Sequence, residues 1–288
     1  MTWEETIKMI REQDDYGRLV EKAYFDADLE LNVMRFGKSA EFDETLALIR
    51  NYQPKAKKIL DLGSGNGISA VNFALRGFNV TAVEPDPSET IGAGAIRSLK
   101  NKLQLDSLQI FEVFAEDIQF PDAHFDIVYV RQAMHHANNL KNFIHEAIRV
   151  LKPNGLLLTV RDHVVFDKAD KQWFLENHPL HKFYEGENAF SPTEYRQAIE
   201  DAGAIIKKEL KYYDSVINFS PTTSIIKNRM KEVYLKPFKD RLRKKIGLLV
   251  FIPFIFSLYQ RLKRIDASVV YDELKVHGRM YSYIAIKS

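Results

Sequence analysis

The sequence predicts an α/β protein built on a doubly wound, mainly parallel sheet, and three observations predict it. An apolar run, Ile59-Leu60-Asp61-Leu62, enters a loop with a glycine at every second position, Gly63-Ser64-Gly65-Asn66-Gly67, and leaves it as a helix. Between Lys57 and Val160 five short strands alternate with helical stretches, an order that implies right-handed crossovers and parallel pairing. Acids stand at the carboxyl ends of several strands, where such sheets bind ligands.

Before the sheet, apolar residues recur at helical spacing from Thr2 to about Leu31 (Ile7, Ile10, Leu19, Val20, Ala23, Tyr24). Arg35-Phe36-Gly37 is expected in a turn. Ser39 suits the N-cap of a helix carrying Phe42, Leu46 and Ile49, which Pro54 ends. After the glycine loop come a helix from Ile68 to Arg76, a strand from Asn79 to Glu84, a helix from Ala93 to Leu103 and a strand from Leu108 to Phe114. His124 to Val130 is a continuous apolar strand suited to burial on both faces, and it empties into Arg131-Gln132-Ala133-Met134-His135-His136. A helix from about Leu140 to Leu151, a Lys152-Pro153-Asn154-Gly155 turn and a strand from Leu156 to Val160 lead to Arg161-Asp162-His163. The connection from Phe166 to Ala189, with Trp173, His178, His181, Tyr184 and Glu187, reads as a lid. A helix from Pro192 to Ala202, a strand from Ala204 to Tyr213 and a last strand from Met280 to Ile286 follow. The domain organisation expected is an N-terminal helical cap over 1–50, a main domain of 51–214 with 278–288, and a helical insertion over 215–277.

Composition narrows the classes. Net charge is +2, with 41 Lys and Arg against 39 Asp and Glu, so no global field draws nucleic acid, and none is expected as a partner. With no cysteine, disulfides, thiolate nucleophiles and Cys-ligated zinc are all excluded. The N-terminus carries charge from its fourth residue and no apolar signal region, which points to a cytoplasmic protein. Ile246 to Tyr259 is strongly apolar, but it is shorter than the roughly 20 residues that span hydrocarbon, and Pro253 interrupts it.

The glycine loop selects among cofactors. A dinucleotide fingerprint needs Gly-x-Gly-x-x-Gly, and Ile68 stands where its third glycine would be. Asp61, two residues before the first glycine, would repel a pyrophosphate and attract an ammonium group. Glu84 at the tip of the second strand is placed to accept hydrogen bonds from ribose hydroxyls. The cofactor expected is cationic rather than polyanionic.

Asp61 to Gly67, Glu84, Ala115-Glu116-Asp117-Ile118, Phe125-Asp126-Ile127-Val128 and Arg149-Val150-Leu151-Lys152-Pro153-Asn154-Gly155-Leu156 together resemble the ordered motifs of class I S-adenosylmethionine-dependent methyltransferases. Asn154 is a departure from the family's Lys-Pro-Gly-Gly turn. The resemblance implies a Rossmann-like, doubly wound seven-stranded sheet whose last strand is antiparallel and inserted between the fifth and sixth. It implies an enzyme with S-adenosyl-L-methionine as cofactor. The backbone of Gly63, Gly65 and Gly67, with Ser64, would wrap the methionine part, and Asp61 would face its ammonium. Glu84, with Pro85 beside it, would bind the ribose, and Asp117 with the Ile118 amide would read the adenine edge. Arg131 completes the set, and Arg35 is either a cation near the cofactor's carboxylate or a solvated loop charge. Helix capping remains open for Asp61 and Asp117, and a surface role for Glu84.

Methyl transfer asks the protein for in-line positioning and, for a hydroxyl acceptor, removal of a proton. Histidine suits that proton transfer near neutral pH, and the candidates are His135, His136 and His163, with core or capping roles as the alternative. No metal site is expected. The acceptor expected is a small or lipid-like molecule methylated at oxygen, encoded in the 215–277 insertion. There, cationic stretches around an apolar run, 239–264, suggest peripheral membrane contact; a lid or homodimer contact is the other reading. A non-catalytic binding or scaffold protein that keeps the fold is the alternative function.

Overall fold

The computed structural model describes residues 3–177, 188–220 and 224–288. It divides into two compact units, Met1–Pro221 with His277–Ser288, and Thr222–Val276. The first contains the strands β1 (Lys58–Leu62), β2 (Asn79–Val83), β3 (Leu108–Phe111), β4 (Phe125–Arg131), β5 (Leu151–His163), β6 (Ala204–Leu210) and β7 (Met280–Lys287). Among the described residues they form one sheet in the order β3-β2-β1-β4-β5-β7-β6. The first five strands pair in parallel, and β7 runs antiparallel between β5 and β6. The implied seven-stranded arrangement is therefore present. The order reverses at β1 and β4, which places a crevice at their carboxyl ends.

Alternation along the strands separates two apolar layers. Ile59, Ile127, Tyr129, Leu156 and Leu158 face one layer with Phe36, Phe42 and Phe73; Leu60, Leu62, Val128, Val130 and Leu157 face the other with Phe143, Ile144, Tyr195 and Ile199. The N-terminal helices are thus part of the core. Edge-on and tilted ring contacts run from Tyr24 through Phe36, Phe42 and Phe73 to Tyr129, with centroids 5.0–5.4 Å apart. Arg35 lies in the last turn of the helix Leu29–Gly37, not in a turn, because Asp28 caps that helix and Val33 and Phe36 bury its inner face.

Several strand boundaries differ from the sequence expectation: the fifth strand runs on to His163, and the sixth ends at Leu210, three residues early. The third strand ends at Phe111, three residues early. The fifth begins at Leu151, before the expected turn: its register with β4 jumps from Phe125↔Leu151 to Ile127↔Leu156, so residues 152–155 bulge out of the ladder, with Asn154 at φ 61°. Asp126 holds the bulge, accepting from Lys152 Nζ at 2.6 Å and from the Lys57 and Lys58 amides at 2.8 and 2.9 Å. Residues 215–220, expected in the insertion, belong to the sheet unit. Asn218 Nδ2 donates to the Leu210 and Lys211 carbonyls, and Ile217 and Phe219 are buried. Of the expected lid, Lys168–Asn177 is a helix that buries Phe174; His178, His181, Tyr184 and Glu187 lie outside the described residues. Among the described residues no helix is long and apolar enough to cross a membrane.

Gly37 marks a close approach. A Cβ there would lie 2.1 Å from Asn72 Oδ1, and Asn72 is held by donating to the Val33 and Ile68 carbonyls, each at 2.8 Å. Gly37→Ala should lower stability by about 1–3 kcal/mol in urea denaturation, and much less in an Asn72→Ala background. Equal losses in both backgrounds would show that this contact does not set the requirement for glycine.

Candidate functional site

The glycine loop is drawn across the end of β2. The Gly63 and Ser64 amides both donate to the Val83 carbonyl, at 2.9 and 3.0 Å, and Ser64 Oγ donates to the Asp61 carbonyl at 2.7 Å. Gly63 has φ 74°, and a Cβ there would meet Ala133 Cβ at 2.5 Å, so no larger residue fits. Gly65 also has positive φ, but the nearest atom to its would-be Cβ, the Ile91 carbonyl oxygen, is 4.0 Å away, which leaves this stretch of backbone bare. Asn66 Nδ2 donates to the Tyr24 carbonyl at 2.7 Å, tying the N-terminal segment to the loop.

Two carboxylates flank the loop. Asp61 is 1% exposed, and neither of its oxygens has a hydrogen-bond partner among the described residues. Burial pushes its pKa up from 3.8 to about 7; Arg131 opposes the shift and Glu84 adds to it. Glu84 is 9% exposed, so it is no surface acid. It accepts from the Gly65 amide at 2.6 Å and the Asp86 amide at 3.0 Å, and burial likewise raises its pKa to about 7. Asp61 is a strand residue whose carboxylate makes no hydrogen bond of normal geometry among the described residues, although the Ala70 amide in the first turn of the following helix and the Ser64 hydroxyl lie near enough to favour its charged form. Pro85 is exposed in the loop after Glu84.

The cations have other partners. Arg131 donates to Glu41 through Nε at 2.6 Å and Nη2 at 3.3 Å, and its guanidinium lies over the Phe36 ring at 5.2 Å. Arg161 lies 3.4 Å from the same carboxylate and donates to the Ile217 and Ser220 carbonyls. Glu41, 1% exposed, thus serves two arginines. Sequence reasoning missed it, because an acid in the first turn of a helix resembles any residue answering the helix dipole. Arg35 Nη1 lies 3.5 Å from Asp26 and is buried without a hydrogen-bond partner among the described residues.

His135, His136 and His163 come together. The His135 ring lies 4.1 Å from that of His136 and 4.9 Å, edge-on, from that of His163. His135 and His163 are buried and His136 is exposed. Asp162, fully buried, accepts from the His135 amide at 3.2 Å and lies 3.1 Å from Nδ1. Its own pKa is raised by burial, with His135 opposing. A break in register puts it there: between Thr159↔Tyr283 and Asp162↔Tyr281, β5 carries one extra residue, and Arg161 takes φ 63°. The bulge sends Arg161 toward Glu41 and Asp162 toward His135. Asp162 stood in the sequence beside His163, but nothing local marked it as the partner of His135.

Asp117 is exposed and accepts from Gln119 at 2.7 Å. The Ile118 amide donates to Glu146 at 3.3 Å. Glu146 reaches it because Arg149 grips that carboxylate through Nε at 2.7 Å and Nη2 at 2.8 Å and anchors itself on the Ile118 carbonyl.

A mostly parallel sheet with a glycine loop, two desolvated acids and no dinucleotide fingerprint defines a methyltransferase-type fold. The family described as "Methyltransferase domain" matches residues 35–207, more than half of the chain. The protein belongs to this family, the class I S-adenosylmethionine-dependent methyltransferases, and its cofactor is S-adenosylmethionine. A ubiquinone biosynthesis O-methyltransferase of Rickettsia prowazekii (strain Madrid E) is 34% identical over 109 residues, which are 38% of this chain and 41% of that protein. The chain thus spans about two fifths of that relative's length. Two solved structures share the fold. Geranyl diphosphate C-methyltransferase from Streptomyces coelicolor has a TM-score of 0.56 at 15% identity, covering 85% of this chain and 79% of that one. YcgJ from Bacillus subtilis has a TM-score of 0.53 at 18% identity, covering 85% and 98%. The unpartnered Asp61 carboxylate and the bare Gly65 backbone fit a cofactor with an ammonium group.

Glu41→Ala would leave Arg131 and Arg161 without their shared carboxylate. Loss of about 3–5 kcal/mol is expected in chemical denaturation; a loss under about 1 kcal/mol would mean that the cluster is already compensated by water.

Proposed function

We propose that the protein transfers a methyl group to an oxygen of a small, lipid-like acceptor, with His135 removing the hydroxyl proton. The observation that carries this reading is the Asp162–His135 pair at the carboxyl ends of β4 and β5. A carboxylate beside Nδ1 favours the tautomer with its proton on that nitrogen and makes Nε2 the basic one. Asp162 is a positioning residue, and His163, edge-on to His135, confines the ring. Similarity to a ubiquinone biosynthesis O-methyltransferase supports oxygen as the methylated atom and a lipid-like acceptor.

In this reading Asp61 holds the cofactor's ammonium and Glu84 its ribose hydroxyls. The backbone of Gly63, Ser64, Gly65 and Gly67 lies along the methionine part, and Pro85 and Asp117 border the nucleoside. Arg131, held by Glu41, contributes positive potential beside Asp61. When bound, S-adenosylmethionine supplies an activated methyl on a sulfonium. His135 would take the acceptor's proton as the oxygen forms its bond to the methyl carbon and the sulfonium S–C bond breaks to leave a neutral thioether, and the buried His135 and His163 rings would keep water from competing.

The test is label transfer from methyl-labelled cofactor to isoprenoid-tailed catechols, and to the same compounds with every hydroxyl masked as an ether. Only the free hydroxyls should take label. His135→Ala should lower kcat by about 10²–10⁴-fold with cofactor affinity unchanged, and Asp162→Asn should act in the same direction. Label in the masked compounds, or wild-type kcat in His135→Ala, would contradict the assignment.

A further inference from the structure

We propose that the tip of the Thr222–Val276 unit docks the protein on an anionic lipid surface. The unit is a helical hairpin: Ser224–Ile246, a tight turn at Gly247–Phe251, then Pro253–Lys263. It has its own small core of Leu235, Leu242, Val250, Phe256 and Ala267. Neighbours in the same run point outward. Leu248 is 72% exposed, Phe251 61%, Phe254 74% and Leu262 73%, with Leu249 and Ile252 also exposed. The unit has therefore already selected which apolar side chains it buries, and those at the tip are surplus to its own packing. The exposed apolar side chains from Leu248 to Phe254 gather at one turn, with Leu262 at the far end of the second helix, and exposed apolar residues so concentrated mark an interaction surface.

Charge identifies the occupant. Residues 239–264 carry eight Lys and Arg against one acid, Asp240, in a chain whose total net charge is only +2. Lys244 and Lys245 precede the tip, Arg261, Lys263 and Arg264 follow its apolar stretch, and all five are exposed. A second copy meeting this surface across a two-fold axis would bring like charge against like charge. An anionic leaflet complements it: cations engage headgroups while the apolar side chains enter the boundary beneath them. Arg243 lies over the Phe251 ring at 5.7 Å, so its charge is held beside the apolar tip. A groove of about 430 Å³ adjoins Phe251, where Lys236, Lys239 and Arg243 outnumber Glu232 and Asp240, and it suits a headgroup phosphate. Since the segment does not span a bilayer, the contact is interfacial. It stands whichever acceptor is methylated.

Flotation of the full-length protein with vesicles of phosphatidylcholine, and of phosphatidylcholine mixed with phosphatidylglycerol, tests this. The protein should float with the mixed vesicles only, and less so as salt rises. Phe251→Ser with Phe254→Ser should reduce binding at least about tenfold, as should Lys244→Glu with Lys245→Glu, while calorimetric affinity for S-adenosylmethionine stays unchanged as a check on folding. Failure to float, equal flotation with neutral vesicles, or a concentration-dependent dimer abolished by the Phe251 and Phe254 changes would overturn the proposal, the last in favour of a second copy.

Discussion

Desolvation of two carboxylates at the ends of adjacent strands is the constraint on which the site depends. Asp61 and Glu84 sit beyond the reach of bulk water, and each is pushed toward neutrality. They differ in what compensates them. Glu84 is satisfied by two backbone amides, one from the glycine loop itself, so its position and the path of the loop fix each other. Asp61 has no such partner. A buried polar group without a hydrogen bond costs stability, and the surrounding sheet maintains it by register: β1 and β2 pair from Lys58↔Asn79 to Leu62↔Val83, and the loop closes over their ends onto the Val83 carbonyl.

Two strands beyond β1, the same sheet solves a different problem. β5 must present an arginine to one side and an acid to the other at its carboxyl end. A single extra residue opposite β7 does this, at the expense of a left-handed Arg161. Arg161 N donates to Ser282 Oγ on β7, and Ser282 in turn donates to Asn218. The proposed proton acceptor is thus supported by the antiparallel insertion of β7, and the Glu41 cluster joins that support to the N-terminal helices. Glu41 thus ties Arg131 at the end of β4 to Arg161 on β5 in one buried ionic cluster.

Much of this was legible in the sequence because it follows from local patterns. Strands buried on both faces appear as apolar runs, glycines needing positive φ appear as glycines, and acids at strand ends follow from counting. What was not legible depends on pairing across long separations. Arg161 carries no glycine or proline signal, since its conformation is imposed by a strand about 120 residues later. Glu41 became a double ion-pair partner only when β4 and β5 met the helix that carries it. The Ile118 amide is turned to Glu146 by Arg149, a residue first read as part of a turn motif. At the hairpin tip composition showed apolar and cationic residues, but only the structure showed that Val250 goes in while Leu248 and Phe251 stay out.

We propose that the buried Asp61 carboxylate receives the cofactor's ammonium. In the free protein Asp61 has a pKa of about 7, so it is mostly protonated below that pH, whereas the ion pair needs it charged. Binding must therefore expel a proton. Calorimetry of S-adenosylmethionine binding in buffers of different ionisation enthalpy measures this directly. Because Glu84 has a similarly raised pKa and takes the ribose hydroxyls, release of about one to two protons is expected at about pH 6, fading above about pH 8, with affinity weakening by about ten- to a hundredfold per pH unit well below 7. Binding heats and affinity that do not change with buffer or pH across that range would contradict it.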